Sequence, residues 1–193
     1  MTTYVVCDIE ADGPVPGPYS MISLGAVAVT KDGTQNGEFE INLHPLDNAK
    51  THPMTMKWFS THAPDALEYA RQNQVSPRDA MNKFGDWLLA LPTPRVMAAH
   101  PAPLDFMWIN WYIQVFLANR LEEPPFTFPF FDKKGQAAFD IKSYAAAVLG
   151  KDYIKIDRGN YSKELHDNKK HSHKAIEDAR EYAQLLIKLL NKN

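Results

Sequence analysis

The sequence predicts an α/β fold whose sheet begins as a three-strand antiparallel meander. Residues 4–9 are almost all aromatic, β-branched or Cys, a composition typical of a buried strand. The turn sequence Lys-Asp-Gly at 31–33 separates two further strand patterns, at 20–30 and 38–43. Helical patterns begin only after the third strand. This order excludes the βαβ start of a dinucleotide-binding fold, because that start needs a helix after its first strand.

The rest of the chain is mainly helical in pattern. Helices are predicted at 53–59, 65–72, 77–91, 104–119, 140–149 and 172–190, and a short apolar strand at 95–99. Ser76 is expected to cap the third helix, because Pro77 suits the first helical position. Asp140 is expected to cap the fifth helix and Gly150 to end it.

Length and composition suit one globular domain over residues 1–193, with 45% hydrophobic and 23% charged residues. The net charge of -2 excludes a bulk basic nucleic-acid binder, but not an enzyme that holds a short strand locally. The single cysteine, Cys7, excludes an intrachain disulfide and fits a reducing compartment. No apolar run approaches the length of a membrane span and no signal pattern opens the chain. We therefore expect a cytoplasmic protein without a membrane partner.

The helix predicted at 104–119 carries apolar residues on every side. Such a helix is expected to be buried all round, either inside the fold or against a partner chain. The segment 121–132 is rich in Phe and Pro and is expected to pack over it. Because Trp108 and Trp111 point to different sides, we expect a homodimer whose interface uses this helix or the Phe-rich segment.

Two acids end the first strand. Asp8 and Glu10 are two residues apart, so their side chains point to the same face of the sheet. Two like charges at the end of a buried strand are costly unless a cation lies between them. An isolated Asp-x-Glu is equally consistent with a solvated strand end, so its meaning depends on further acids in the chain.

Two more acids and a histidine lie far along the chain. Asp105 falls in the first turn of the apolar helix, where a helix-dipole or capping role is the alternative. Asp178 interrupts an apolar stripe on the last helix, a position that favours a functional role. His173 lies at the N-terminal end of that helix, and taken alone it is typical of a helix-start or surface histidine.

In this order, Asp8-x-Glu10, Asp105 and the pair His173 and Asp178 resemble the motifs of the DEDDh exonucleases. That family includes the DnaQ-like proofreading subunits of DNA polymerases, ribonuclease T and oligoribonuclease. The resemblance spans the chain from end to end. It implies a ribonuclease H-like fold, with a five-strand mixed sheet that starts with the antiparallel meander and is flanked by helices.

The chain departs from the family pattern at two places. The sequence Ala-Asp-Gly stands at 11–13, where the family usually has Thr or Ser followed by Gly. Pro101 follows His100, where the family usually has Asn, so a polar side chain for nucleotide contacts is lost while the metal ligands stay. The helix that carries Trp58 also resembles the small exonucleases similar to exodeoxyribonuclease VIII.

The resemblance implies two Mg²⁺ or Mn²⁺ ions, which can stabilise the attacking and the leaving oxygen of a phosphodiester. Carboxylates are hard ligands that favour these ions over zinc. Asp8 would bridge both ions, while Glu10 and Asp178 would complete one site. Asp105 would hold the other ion through water. His173 would take the proton from the attacking water, a role that suits an imidazole.

The candidate substrate-binding residues are Trp58, Ile9, His100, Lys169 and Lys170. The two lysines belong to the stretch 151–174, which has seven Lys or Arg against four acids and is either a solvated loop or a phosphate contact. Trp58 would either stack on a base near the mouth of the site or pack in the core with Phe59.

Three functions are open at this point. The leading one is a metal-dependent 3′–5′ exonuclease that acts on the 3′ ends of single-stranded RNA or DNA and releases nucleoside 5′-monophosphates. The second is a non-catalytic module of the same fold that grips 3′ ends or a protein partner. The complete set of five charged groups argues against it, because a retired site has no physical need to keep them together. The third, a partner protein using the aromatic helix, is compatible with the first.

Overall fold

The computed structural model describes residues 1–117, 138–166 and 171–192, which form one five-strand sheet with helices on both faces. The strands are β1 Thr3–Ala11, β2 Met21–Val29, β3 Gln35–Asn42, β4 Arg95–Ala99 and β5 Phe139–Asp140. Their order across the sheet is β3-β2-β1-β4-β5. The first three strands are antiparallel neighbours, while β4 pairs parallel with β1 and β5 parallel with β4. The predicted mixed sheet that opens with a meander is confirmed.

The helices follow the predicted pattern closely. They are α1 Pro53–His62, α2 Pro64–Ala70, α3 Pro77–Ala90, α4 Ala102–Phe116, α5 Ile141–Leu149 and α6 Ala175–Leu190. Ser76 caps α3 by accepting from the N–H of Asp79 at 3.1 Å. Asp140 caps α5, and Gly150 ends it in the left-handed conformation with φ 59°. The last helix starts three residues later than predicted, so His173 lies before it rather than on it.

The side chains of β1 alternate between two separate cores. Val5, Cys7 and Ile9 face the core formed with α3 and α4. Val6 faces the core formed with α5 and α6. Because side chains alternate along a strand, Asp8 and Glu10 continue the face of Val6 and point toward α6. The central strand therefore delivers its two acids to the side of the sheet that α6 covers.

Helix α4 is buried on one side only. Trp108 and Tyr112 are fully buried, and the Tyr112 hydroxyl accepts from the N–H of Met21 at 2.8 Å. Leu104 and Val115 are 49% and 47% exposed. Among the described residues, the sheet and α3 cover one flank of the helix, so of the two predicted alternatives burial inside the fold is not seen there, and burial against a partner chain stays a prediction. The last two residues of the predicted helix and the segment 121–132 lie outside the described residues. Across the described ranges, no helix has both the length and the apolar character to span a bilayer.

Candidate active site

Three carboxylates meet at the carboxyl end of β1. Asp8 and Glu10 come from the strand, and Asp178 comes from the first turn of α6. One oxygen from each of the three lies within 4.8 Å of the other two. Asp178 is only 2% exposed, whereas the two strand acids are half-buried. Oxygens this close can share one divalent cation, since a cation relieves the repulsion between them.

Gly25 allows α6 to come close enough for this meeting. It pairs with Asp8 in the register between β1 and β2. A Cβ at this position would lie 2.3 Å from the backbone nitrogen of Ile176 and 2.4 Å from the carbonyl carbon of Ala175. Only the missing side chain lets the first turn of α6 rest on the sheet, which places Asp178 beside Asp8. The sequence analysis missed this residue, although an isolated Gly inside an apolar strand is typical of a close backbone approach.

Asp105 reaches the same edge from the first turn of α4. Its Oδ1 accepts from the N–H of Ile9 at 3.1 Å, and the residue is 4% exposed. Ile9 lies between the two strand acids, so this bond fixes the start of α4 against them. The side chain of Ile9 points the other way, into the core with α3 and α4, and only its backbone faces the site.

The electrostatics of the four acids are those of a site built for cations. Burial and then the charge of Asp105 raise the pKa of Asp8 well above its usual range. Burial and then Asp178 do the same to the pKa of Glu10. Burial also raises the pKa of Asp105, to about 7, and that of Asp178, whose shift is opposed by His171. Each acid resists ionisation without a positive partner, which is what a divalent ion supplies.

His173 lies at the rim of the carboxylates, next to Trp58. The two rings are 4.9 Å apart and nearly perpendicular, at 87°. His173 has a left-handed backbone with φ 56°, which is uncommon for a residue with a side chain. Burial, followed by the nearby His171, lowers the pKa of His173 to about 4. The imidazole is therefore neutral at pH 7 and keeps a ring lone pair, while its lowered pKa makes it a weaker base than a free histidine.

Trp58 is a surface residue of α1, at 40% exposure. It has an edge contact with the buried Phe59 and stacks on His62 at 5.5 Å. The indole thus contacts Phe59 and also keeps part of its surface in solvent beside His173, and its role in stacking or in packing stays a prediction. A half-exposed indole next to the site is able to stack on a nucleobase.

His171 was given no role by the sequence analysis, yet it contacts the site directly. Its Nδ1 lies 3.0 Å from Oδ1 of Asp178, and its ring centroid is 3.9 Å from that of His173. The one available signal was the His-x-His spacing just before the last helix. That spacing did not distinguish it from a surface histidine, since the contact with Asp178 depends on how the chain enters α6.

Of the other substrate-binding candidates, His100 lies among the described residues and the two lysines do not. His100 is stacked on Tyr182 at 4.6 Å, and its Nε2 lies 2.7 Å from the hydroxyl of Tyr161. Burial is the largest cause that lowers the pKa of His100 to about 4. These contacts join the end of β4 to α6 through aromatic rings. Lys169 and Lys170 lie outside the described residues.

Asp12, two positions after Glu10, holds the chain that follows β1 in place. Its carboxylate accepts from the N–H of Ser20 at 2.6 Å, and its carbonyl accepts from the N–H of His52 at 2.8 Å. His52 in turn caps α1 by accepting from the N–H of Thr55. Asp12 thus links the end of β1 to the start of the helix that carries Trp58.

The chain is similar to known exonucleases in sequence and in fold. No family model matches the chain. It is 29% identical to the 3′-5′ DNA exonuclease Cap18 of Escherichia coli over 192 residues, which cover 98% of this chain and 91% of the relative. The nuclease domain of 3′hExo, a DEDDh family member bound to rAMP, matches with a TM-score of 0.66 and 14% identity, covering 98% of this chain and 90% of that one. The Mg²⁺- and Mn²⁺-bound form of Pop2p from S. pombe matches with a TM-score of 0.64 and 14% identity, covering 96% and 81%.

These similarities confirm two predictions made from the sequence. The predicted fold is confirmed by solved exonuclease structures, among them a DEDDh family member, and the predicted resemblance to 3′–5′ exonucleases by a relative that matches almost the whole chain. They also support the predicted enzyme class, a 3′–5′ exonuclease. The roles of individual residues stay predictions.

Proposed function

We propose that this chain, which has the fold and motif order of the DEDDh exonucleases, is a metal-dependent 3′–5′ exonuclease formed by a single domain over residues 1–193. One observation carries the proposal: oxygens of Asp8, Glu10 and Asp178, from a strand and a distant helix, converge within 4.8 Å. We further propose single-stranded DNA as the substrate and nucleoside 5′-monophosphates as products. The sequence allowed RNA or DNA, and the name of the E. coli relative favours DNA. A cytoplasmic location stays a prediction from the sequence.

The donor set fits two Mg²⁺ or Mn²⁺ ions. We propose that Asp8, Glu10 and Asp178 hold one ion, and that Asp8 with Asp105, through water, holds the other. All four ligands are carboxylates, the class that these hard ions prefer. Bound divalent ions would stabilise the charge that develops on the phosphate and on the leaving oxygen.

The remaining groups would position and activate the reactants. Neutral His173 would accept the proton of the attacking water, because its ring reaches the rim of the carboxylates. Trp58 would stack on a base near the 3′ end, and the edge contact with His173 would hold the indole ring in place. Lys169 and Lys170 stay proposed phosphate contacts.

The decisive experiment separates turnover from mere binding. Purified protein is incubated with a single-stranded DNA labelled at its 5′ end, with Mg²⁺ or Mn²⁺. We expect a ladder that shortens from the 3′ end, stops with chelator and disappears in the double variant Asp8→Asn, Asp178→Asn. The control is Asp65→Asn, an exposed acid on α2 that keeps full activity. Tight binding of the strand without any shortening would instead identify the non-catalytic module.

We also propose the predicted homodimer, with α4 at the interface. Leu104 and Val115 offer apolar surface there that the described chain does not cover. Light scattering at micromolar concentration should give twice the chain mass, and Val115→Lys should reduce it to one. A monomer mass for the wild type contradicts the dimer without touching the nuclease proposal.

A further inference from the structure

A second set of possible metal ligands adjoins the carboxylates and differs from them chemically. His171, His173 and Asp178 each offer one ligand atom, and the three atoms lie within 4.8 Å of one another. The set contains two imidazole nitrogens and one carboxylate oxygen, whereas the group of Asp8, Glu10 and Asp178 contains oxygen alone. Asp178 belongs to both.

The geometry of this cluster suits an ion entering from solvent. The two imidazole rings stand at 78° to each other, with centroids 3.9 Å apart. The side chain of His171 is 27% exposed, while that of Asp178 is 3% exposed. Asp178 is therefore the buried ligand of this cluster, and His171 is a ligand that faces solvent. The neighbouring Arg158 is paired with Glu181 at 2.7 Å, so its charge is balanced.

The donor types select among the divalent ions. Zn²⁺ binds imidazole nitrogen and carboxylate oxygen in tetrahedral sites, and three protein ligands leave a fourth position for water. Nitrogen-containing sites bind Zn²⁺ more tightly than Mn²⁺, and Mg²⁺ prefers oxygen ligands throughout. The two overlapping sets thus differ in the ion that each prefers.

We propose that His171, His173 and Asp178 form a Zn²⁺ site that switches the nuclease off. A zinc ion held there occupies Asp178, which the activating ions need. It also occupies a ring nitrogen of His173, which then no longer accepts a proton. His171 is the ligand that belongs to this site alone, so it determines zinc sensitivity. The inhibitory role rests on the proposed nuclease function, whereas the metal site itself does not.

The first test measures the metal site without any reaction. The full chain is titrated with Co²⁺, a spectroscopic substitute for Zn²⁺, in the absence of Mg²⁺, so that Asp178 is available to the site. We expect the visible bands of tetrahedral Co²⁺ and their loss on adding one equivalent of Zn²⁺. His171→Ala should lose the bands, and His44→Ala, which removes an exposed histidine after β3, should keep them. His171→Gln serves as a second variant, and thermal unfolding in Mg²⁺ checks that each protein is folded.

The second test measures inhibition. Hydrolysis of single-stranded DNA in saturating Mg²⁺ is titrated with Zn²⁺, and each variant is compared with its own zinc-free rate. Removing a direct ligand should raise the half-inhibiting Zn²⁺ concentration of His171→Ala about tenfold or more, since even outer partners of a metal site change affinity by that much. Equal zinc sensitivity of His171→Ala and wild type overturns the proposal. Absence of hydrolysis by the wild type, with Co²⁺ bands that depend on His171, overturns the nuclease function and the switch but keeps the metal site.

Discussion

The two halves of the candidate site are built in different ways. The carboxylate half stands on the central strand and on the first turns of two long helices, all packed against the main cores. The substrate half, with Trp58 and the histidines, stands on the ten-residue α1 and on the residues before α6. Helices α1 and α2 share a small cluster of their own around Phe59, separate from both cores. The geometry of the carboxylates is therefore fixed by the whole fold, whereas the proposed substrate contacts depend on local packing.

This difference predicts how variants should behave. Changes in the carboxylate half should affect folding and chemistry together, because the same elements carry both. Changes in the substrate half should affect binding or proton transfer and leave the melting temperature alone. Four variants or conditions test the distinction, and they are given from the largest expected effect to the smallest.

His173 lies where the two halves meet, and His173→Ala tests whether it is the general base. If this residue is the general base, turnover should fall by about 10²–10⁴-fold, the usual contribution of acid–base catalysis. Metal binding, measured by calorimetry with Mn²⁺, should persist because the four carboxylates remain. His44→Ala is the matched control and should keep full turnover. A larger loss of turnover in His171→Ala than in His173→Ala would reassign the base.

Gly25→Ala tests the carboxylate half through its packing alone. The new Cβ would meet the backbone of Ile176 at 2.3 Å, and such overpacking costs about 1–3 kcal/mol. We expect a lower melting temperature and weaker Mn²⁺ binding, since α6 must move away with Asp178. Gly159→Ala is the control, because a Cβ there meets nothing within 4 Å. A Gly25→Ala protein with wild-type stability and activity would show that the close approach is not required.

Trp58→Ala tests the substrate half. Stacking on one base contributes about 1–3 kcal/mol, so the variant should raise KM with little change in kcat. Its melting temperature should stay close to that of the wild type, because Trp58 is 40% exposed and lies outside both main cores. Met54→Ala, on the same helix and 76% exposed, should leave KM unchanged. A strongly destabilised Trp58→Ala would mean that the indole supports α1 rather than the substrate.

The pH dependence of stability without metal tests the carboxylate half, because protons then neutralise the acids in place of cations. The pKa values of Asp8, Glu10 and Asp105 are raised by burial, that of Asp105 to about 7. Acids with raised pKa values bind protons more tightly in the folded state, so stability falls as pH rises from their ordinary pKa values of about 4 to their raised values, and only the part above pH 6.5 is free of His173. The lowered pKa of His173 has the opposite sign, but it acts below its ordinary value of 6.5.

In chelator, the melting temperature should therefore drop between ~pH 6.5 and ~pH 8. Added Mn²⁺ should raise the melting temperature more at the higher pH, because the ion binds the ionised acids. Asp105→Asn should flatten the pH dependence, and its exposed counterpart Asp65→Asn should not. A melting temperature that is equal at both pH values without metal would contradict the assignment of raised pKa values.

The sequence allowed much of the fold to be predicted, because local patterns report local burial. The meander, β4 and the caps Ser76 and Asp140 all follow from periodicity and end signals. Strand β5 carried no such signal, since its two residues are too few to show a period. The four acids were found because their order matched a known family, not because any pattern placed them together.

The missed residues are those whose role depends on a neighbour distant in the chain. Gly25 matters only because the first turn of α6 lies on it, about 150 residues later by the numbering of the two elements. His171 matters because the chain turns back toward Asp178 before the helix begins. Which flank of α4 the sheet covers was not predicted for the same reason, since hydropathy does not reveal it.

The Asp12 bridge ties the two halves into one thermodynamic unit. Asp12 lies two positions after Glu10, and its carbonyl accepts from the N–H of His52, the capping residue of α1, six positions before Trp58. If filling the proposed cation positions orders the end of β1, the hydrogen bonds of Asp12 would carry that ordering to the start of the helix that holds Trp58. Linkage is reciprocal, so a DNA strand seated on Trp58 should tighten the hold on the ions by the same factor as the ions tighten the hold on the strand. On this view the enzyme assembles its reactive state only when both are present, and each ligand meets part of the other's entropic cost of ordering.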